Sequence, residues 1–180
     1  MKAKIVGIKE VKTEPKKLTV SQITALFFYR YRDMSGWRVP DRVLQSGNIV
    51  HSRLGYNQLY QFRRVYVHND EVYHIVGMPD KLEGDMVVEL KTYSGFSRKE
   101  QKMAGIVAVQ IYLWLTGLEN GKVVYFNTKT EKFDKEVKVS YDPELVKKIF
   151  TLAIGLQKDI DNFVEKYREK TKEIEEIIKI

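Results

Sequence analysis

Cysteine is missing from all 180 residues, and that absence excludes disulfides, thiolate zinc sites and cysteine-ligated iron–sulfur clusters. No long apolar run is present either. The longest, Ile106 to Leu115, is interrupted by Gln110 and is too short to cross a bilayer. Met1-Lys2-Ala3-Lys4 opens on positive charge, but only a short apolar run follows, so no signal peptide is expected. A Gly-rich phosphate loop, a Gly-x-Ser-x-Gly elbow, internal repeats and low-complexity linkers are likewise missing, which removes the activities built on those motifs. What is left is a soluble, cytoplasmic chain, long enough for a substantial core and read as one domain over residues 1–180.

Charge is present in excess and unevenly. The net charge is +7, with 22 Lys and 15 Glu, a usage that leans toward a thermophile. Residues 1–68 hold 13 Lys and Arg against 4 Asp and Glu, whereas residues 69–164 hold 13 against 15 and residues 165–180 hold 5 against 5. The excess therefore lies in the first third. There Phe27, Phe28, Tyr29, Tyr31, Trp37, Tyr56, Tyr60, Phe62 and Tyr66 are interleaved with Arg30, Arg32, Arg38, Arg42, Arg53, Arg63 and Arg64. Arginine matches phosphate oxygens and aromatic rings stack on unpaired bases. A polyanion is the expected partner, with nucleic acid preferred to membrane because no cationic amphipathic helix is present. A generic basic surface is the plainer alternative.

Periodicity divides the chain into elements. An edge strand is expected over Lys4–Ile8, then a charged loop through Pro15. Thr19 or Ser21 caps a helix over about Gln22–Asp33, from which Arg30 and Arg32 are placed to guide a nucleic-acid backbone. A second helix runs from Asp41 or Ser46 to Leu59 and carries His51, a residue that is either a metal ligand or an ordinary packed side chain. Strands follow over Phe62–Val67 and Val72–Val76, with a turn at His68-Asn69-Asp70. After a loop over Thr92–Arg98, a helix over Lys99–Thr116 is apolar on nearly every side and must be buried. Its Gln110 is either a structural link to a strand end or a group reaching into a cleft. Strands at Lys122–Asn127 and Phe133–Val139 precede a long helix opened by Asp142-Pro143. Leu145, Ile149, Leu152, Leu156, Ile160, Phe163 and Tyr167 form its expected packing stripe. The alternating charges of 165–180 read as a helical extension, solvated or making a small oligomer contact.

The chemistry concentrates between Tyr73 and Tyr93. This stretch reads as a hairpin: a strand broken at Gly77-Met78-Pro79, a turn at Glu83-Gly84-Asp85, and a returning strand over Met86–Thr92. Alternation places Val87, Glu89 and Lys91 on one face of the returning strand and Val88 and Leu90 on the other. Asp80 then stands across the turn from Glu89. Two converging carboxylates repel unless a cation lies between them, which suits a hard divalent ion with oxygen ligands. A neighbouring ammonium can hold and polarise a water, completing the equipment for metal-assisted phosphodiester hydrolysis. A surface hairpin with a Glu89–Lys91 ion pair is the alternative.

Pro79-Asp80 followed by Glu89-Leu90-Lys91 resembles the PD-(D/E)xK nuclease motif. Over about residues 19–160 the order of elements resembles RecB-type nucleases, in particular the CRISPR-associated RecB-like exonucleases and their viral or free-standing relatives. Thr19-Val20-Ser21 through Arg30 resembles their first motif region and Gly47-x-x-x-His51 their histidine helix. Gln110-Ile111-Tyr112-Leu113-Trp114 resembles their Gln-x-x-x-Tyr signature, with Trp114 in the tyrosine position. The resemblance implies that His51, Asp80, Glu89 and the Leu90 carbonyl bind Mg²⁺ or Mn²⁺, that Lys91 serves the water, and that Gln110 seats DNA. Trp114 and Tyr93 join Arg30 and Arg32 as expected nucleic-acid contacts. The four-cysteine iron–sulfur cluster common in that family is excluded here.

The expected fold is α/β, a restriction-endonuclease-like core with a central mixed β-sheet flanked by helices, and a long C-terminal helix bracing the first. The expected function is metal-dependent DNA hydrolysis, exonucleolytic on single-stranded or frayed ends. A non-catalytic nucleic-acid-binding module of the same fold and a junction-resolvase-type endonuclease are the alternatives. The sequence sets no oligomeric state, cleavage polarity or pathway.

Overall fold

The computed structural model describes residues 15–28, 48–56, 60–94 and 99–178. The expected strand at Lys4–Ile8, the distal part of the first helix with Arg30 and Arg32, and the start of the second helix lie outside the described residues. Within them the chain forms two hydrogen-bonded ladders, with helices packed on both. The first ladder holds β1 (Lys16–Thr19), β3 (Glu71–Gly77) and β2 (Phe62–His68) in that order, β1 parallel and β2 antiparallel to the central β3. The second holds β4 (Lys81–Glu83), β5 (Met86–Tyr93), β6 (Asn120–Asn127) and β7 (Lys132–Ser140), in which β5 and β6 run parallel and the outer pairs antiparallel. The helices are α1 (Val20–Phe28), α2 (residues 48–53), α3 (Lys99–Thr116) and α4 (Pro143–Ile178).

Strand β1 falls between the charged loop expected through Pro15 and the expected helix start, where no strand was expected. Lys16-Lys17-Leu18-Thr19 has a single apolar residue, so no alternation is visible; the strand exists because Leu18 is buried and pairs with Ile75. Thr19 then caps α1. Its hydroxyl accepts the Gln22 backbone N–H at 3.1 Å, and the Gln22 side chain accepts the Thr19 N–H at 2.8 Å, a reciprocal capping box. Asn69 and Asp70 both take positive φ, at 49° and 62°, the type I′ turn that a two-residue hairpin between β2 and β3 needs.

The expected hairpin between the strands at 72–76 and 86–92 is replaced by something else. β3 and β5 belong to different ladders, and β5 pairs backward with the short β4 instead. Pro79 has no N–H with which to prolong the β3 ladder, so the chain leaves it at Gly77 and enters the second ladder at Lys81. Asp80 sits at that crossing.

α3 lies at the centre. Ala108, Val109, Ile111, Leu113 and Leu115 are buried against Val87, Val123 and Tyr125 of the sheet and against α1 and α4, as its all-round apolar character predicts. Complete burial of side chains such as Ile111 and Leu113 contributes roughly 1.5–3 kcal/mol each. Close approach is licensed by glycine: a Cβ on Gly105 would stand 2.7 Å from Val123 Cγ1 and 3.4 Å from Lys91 Cγ. α4 packs on α1 and α3 through Val146, Ile149, Phe150, Ala153 and Ile154. Of the expected stripe Ile149 is buried and Leu156 and Ile160 pack on the core, whereas Leu152 and Phe163 are 60% and 58% exposed and Val146, Phe150, Ala153 and Ile154 fill the contact instead.

Candidate functional site

The acid cluster forms because the two faces of β5 are buried by different partners. Val87 faces the main core, whereas Val88 and Leu90 join Val124 and Phe126 in a smaller cluster. Val50, Leu54 and Tyr56 pack on that smaller cluster and so dock α2 onto the outer side of the sheet. The end of α2 is set by Gly55 at φ 73°. Tyr56 N–H donates to the His51 carbonyl at 2.8 Å and Gly55 N–H to that of Ser52 at 3.1 Å, the paired bonds of a Schellman cap. The helix consequently stops at 53 rather than continuing to Leu59. Arg53 pairs with Glu131 at 3.1 Å, and the Lys81 ammonium lies 5.4 Å from the centre of the Tyr56 ring. These contacts hold His51 in place.

Asp80 is gripped on both oxygens. Its Oδ2 accepts the Leu90 N–H at 2.7 Å, and its Oδ1 is 3.3 Å from His51 Nδ1. The carboxylate takes the ladder position next to β4 that a backbone carbonyl would otherwise fill. In a strand, the N–H and C=O of one residue leave on the same side, so the Leu90 carbonyl also faces the Asp80 side of β5. The hydrogen bond that His51 donates to Asp80 raises the His51 pKa above its ordinary value, more than burial lowers it, with the charges of Asp80 and Glu89 adding to the rise.

Glu89 is 6% exposed. Its Oε1 accepts from Lys91 Nζ at 2.6 Å, but Oε2 is buried without a hydrogen-bond donor among the described residues. Burial pushes its carboxyl up to about 7; the Lys91 ammonium pulls down and the Asp80 charge pushes up. A buried acceptor left unpaired costs free energy, and one beside a second carboxylate has a natural remedy in a cation. The donor set of two carboxylates, an imidazole and a backbone carbonyl fits a hard divalent ion. Among the described residues, no three acidic, histidine or cysteine side chains already stand at metal-ligating spacing.

The structure therefore gathers His51, Asp80, Glu89, Leu90 and Lys91. Gln110 occupies the structural role left open for it: it is 3% exposed, its Nε2 donates to the Ser140 carbonyl at 2.7 Å and its Oε1 accepts the Asp142 N–H at 3.0 Å. Both ends of the amide are engaged at the β7–α4 junction. Trp114 packs between Tyr66 and Phe150, with the Arg64 guanidinium 5.0 Å from the centre of its ring and bonded at 2.7 Å to its carbonyl. Tyr93 donates its hydroxyl to Asp134. Tyr112 is the residue that pattern reading passed over. Its hydroxyl is held well above its ordinary pKa by burial and by the Glu89 and Asp80 charges. Its place in Gln110-Ile111-Tyr112 was visible, but helical spacing alone does not show which side of a fully buried helix meets the acids.

No protein-family model and no curated protein matches the chain. Solved structures do share its architecture. The crystal structure of SSO0001 superposes with a TM-score of 0.57 at 24% identity, covering 81% of this chain and 78% of that one. An alkaline exonuclease from Laribacter hongkongensis gives 0.50 at 14% identity, covering 88% and 94%. A phage-related exonuclease from Haemophilus somnus 129PT gives 0.52 at 14%, covering 81% and 83%. The chain thus has an α/β fold of the restriction-endonuclease-like type, with mixed sheets flanked by helices and a long C-terminal helix.

Proposed function

We propose that the protein is a divalent-metal-dependent deoxyribonuclease that hydrolyses phosphodiester bonds, acting as an exonuclease on single-stranded or frayed ends. The observation that carries this reading is Glu89: a buried carboxylate with one oxygen that no described donor reaches, next to Asp80 and bonded to Lys91. The fold of exonucleases supports it, and so does the basic, aromatic first third of the chain.

Asp80, Glu89, the Leu90 carbonyl and His51 would hold Mg²⁺ or Mn²⁺. When bound, such an ion polarises a phosphate oxygen and acidifies a coordinated water. The protein supplies the rest. Leu90 N–H and His51 fix the Asp80 carboxylate in one orientation, so that it would hold the ion without reorganising. Lys91, kept beside Glu89, orients the attacking water and offers positive charge where the phosphate becomes more negative. The water oxygen bonds to phosphorus, the bond to the sugar oxygen breaks, and a proton passes to that leaving oxygen. Tyr93, Arg30 and Arg32 are assigned to strand contact, whereas Gln110 and Trp114 serve packing, because their contacts are with the β7–α4 junction and with Arg64, Tyr66 and Phe150.

End-labelled single strands incubated with Mg²⁺, Mn²⁺ or EDTA test the reading. Metal-dependent shortening from an end, with closed circles left intact, is the expected result; no cleavage in either metal overturns it. A binding module without turnover is the rival, favoured by the lack of three pre-gathered ligands among the described residues; it requires binding with no cleavage at all.

A further inference from the structure

A second feature lies on the outer face of the β5–β6–β7 sheet, the face on which α2 sits. A cleft of about 320 Å³ is lined by Tyr56, Lys122, Val124 and the β7 residues Phe133 to Glu136. That volume is at the small end of ligand pockets, room for one planar ring system rather than a length of chain.

Its aromatic wall depends on an irregularity. Glu136 pairs with Val124 and Lys135 with Tyr125, but Phe126 pairs with Phe133, which leaves Asp134 as an extra residue in β7. Residues 133 and 136 are an odd number apart, so a regular strand would send them to opposite faces. The bulge returns Phe133 to the face of Glu136, and bulges commonly re-aim a side chain in this way near functional sites. Phe133 is 52% exposed yet held edge-on against the buried Phe126 ring, with centroids 5.1 Å apart. An exposed aromatic fixed by a buried one is a stacking surface that loses little freedom when a ligand arrives.

Charge selects the ligand. Lys122 and Lys135 face Asp134 and Glu136, and Lys122 is already bonded to Glu83 at 3.0 Å and to Glu136 at 3.4 Å. The cleft is therefore balanced and offers no net attraction to phosphate. It does offer a ring to stack on and carboxylates that can accept from exocyclic amino groups. The floor is linked to one side of the acid cluster: Val124 is the direct partner of Leu90, whose N–H holds Asp80 against His51 of α2, while Glu89 and Lys91 leave β5 on the opposite face.

We propose that this cleft is a subsite for one unpaired nucleobase of a single strand whose backbone passes the His51–Asp80 side of the acid cluster. The proposal rests on the nuclease reading only for the identity of the polymer. It is tested by fluorescence anisotropy with a labelled single-stranded oligonucleotide, in the Glu89→Gln background so that the strand survives. Phe133→Ala is expected to weaken binding about tenfold, as for loss of one stacked base, and Phe133→Trp to restore it. An abasic residue scanned along the strand should cost the parent a similar factor at one position and cost Phe133→Ala nothing further there. Equal binding by Phe133→Ala and its parent, abasic penalties that add to Phe133→Ala at every position, or no binding of single strands would each overturn it. Phe133 is half-exposed at a sheet edge, so its truncation leaves the fold in place; the tryptophan variant and a circular-dichroism melt check this. The nuclease reading is judged separately by wild-type cleavage in Mn²⁺: cleavage without a Phe133 effect removes the subsite alone, and a Phe133 effect without cleavage removes the nuclease alone.

Discussion

Glu71 on β3 and Glu89 on β5 are the same residue in two neighbouring ladders, treated in opposite ways. Glu71 collects donors: Lys16 at 3.3 Å on one oxygen, and Lys158 and the Tyr73 hydroxyl, each at 2.6 Å, on the other. It ties β1, β3 and α4 together, and its partners, Lys158 first, lower its pKa to about 2. Among the described residues Glu89 has one donor, Lys91, and a second oxygen without one, and burial raises its pKa. The first carboxylate is complete within the fold. The second is not completed by a donor among the described residues, and stability withheld in this way is a usual mark of a working site.

The sharpest way to break that contrast is to remove each carboxylate and ask what is lost. Asp80→Ala, Glu89→Ala and Lys91→Ala should each lower the cleavage rate at least about a hundredfold, the scale for deleting one preorganised electrostatic group. Glu71→Gln should leave the rate per folded molecule unchanged. Full activity in Glu89→Ala, or a comparable loss in Glu71→Gln, would end the distinction between a working and a structural glutamate.

A cation should act on one of the two only. At a hundredfold excess over its dissociation constant, a ligand specific for the native state adds about 2.7 kcal/mol, so Mn²⁺ should raise the wild-type Tm by several degrees at pH 8. The same addition should leave the Glu89→Ala Tm where it was, while Glu71→Gln responds like wild type. A calorimetric scan with and without metal reads this independently of any activity. In EDTA at the same pH, Glu89→Gln should melt above wild type, since it removes a buried charge while keeping an acceptor for Lys91; a lower Tm would show that the carboxylate is already satisfied.

The parts of this contrast that pattern reading reaches are those governed by period. The faces of β5 were legible because alternation is strict there, and the burial of α3 was legible because every side of it is apolar. The pairing of β3 and β5 was misread, since two apolar strands around a turn look like a hairpin whether or not Pro79 diverts the chain to a second ladder. β1 was invisible: Leu18 alone carries no period. The bulge at Asp134 was invisible too, because an inserted residue leaves no mark in a strand that alternates only weakly. Sequence singled out Glu89 by its spacing to Asp80 and Lys91, but it gave no sign of the contrast in donors. Glu71 follows a polar turn and Glu89 lies between Val88 and Leu90, and what separates their surroundings is that α4 brings Lys158 to the one and nothing described brings a second donor to the other.

The smallest effect follows from the pH dependence of the two groups. Glu71 has a folded pKa below its ordinary value of 4.5, so its contribution to stability is present above pH 4.5 and is lost as the pH falls toward 2. Glu89 has a folded pKa above that value. Without metal, its charge therefore costs stability progressively as the pH rises from 4.5 to about 7, and the cost is constant beyond. The Tm difference between wild type and Glu71→Gln should accordingly shrink to nothing on acidification below pH 4.5, whereas that between Glu89→Gln and wild type should open between pH 4.5 and 7. The Glu71 effect is the weaker because its ion pairs are solvent-exposed and screened, so 1 M salt should reduce it further while barely touching the buried Glu89. Parallel pH curves for the two variants would mean that both carboxylates sit in equivalent surroundings, and the bare oxygen of Glu89 would then carry no functional meaning.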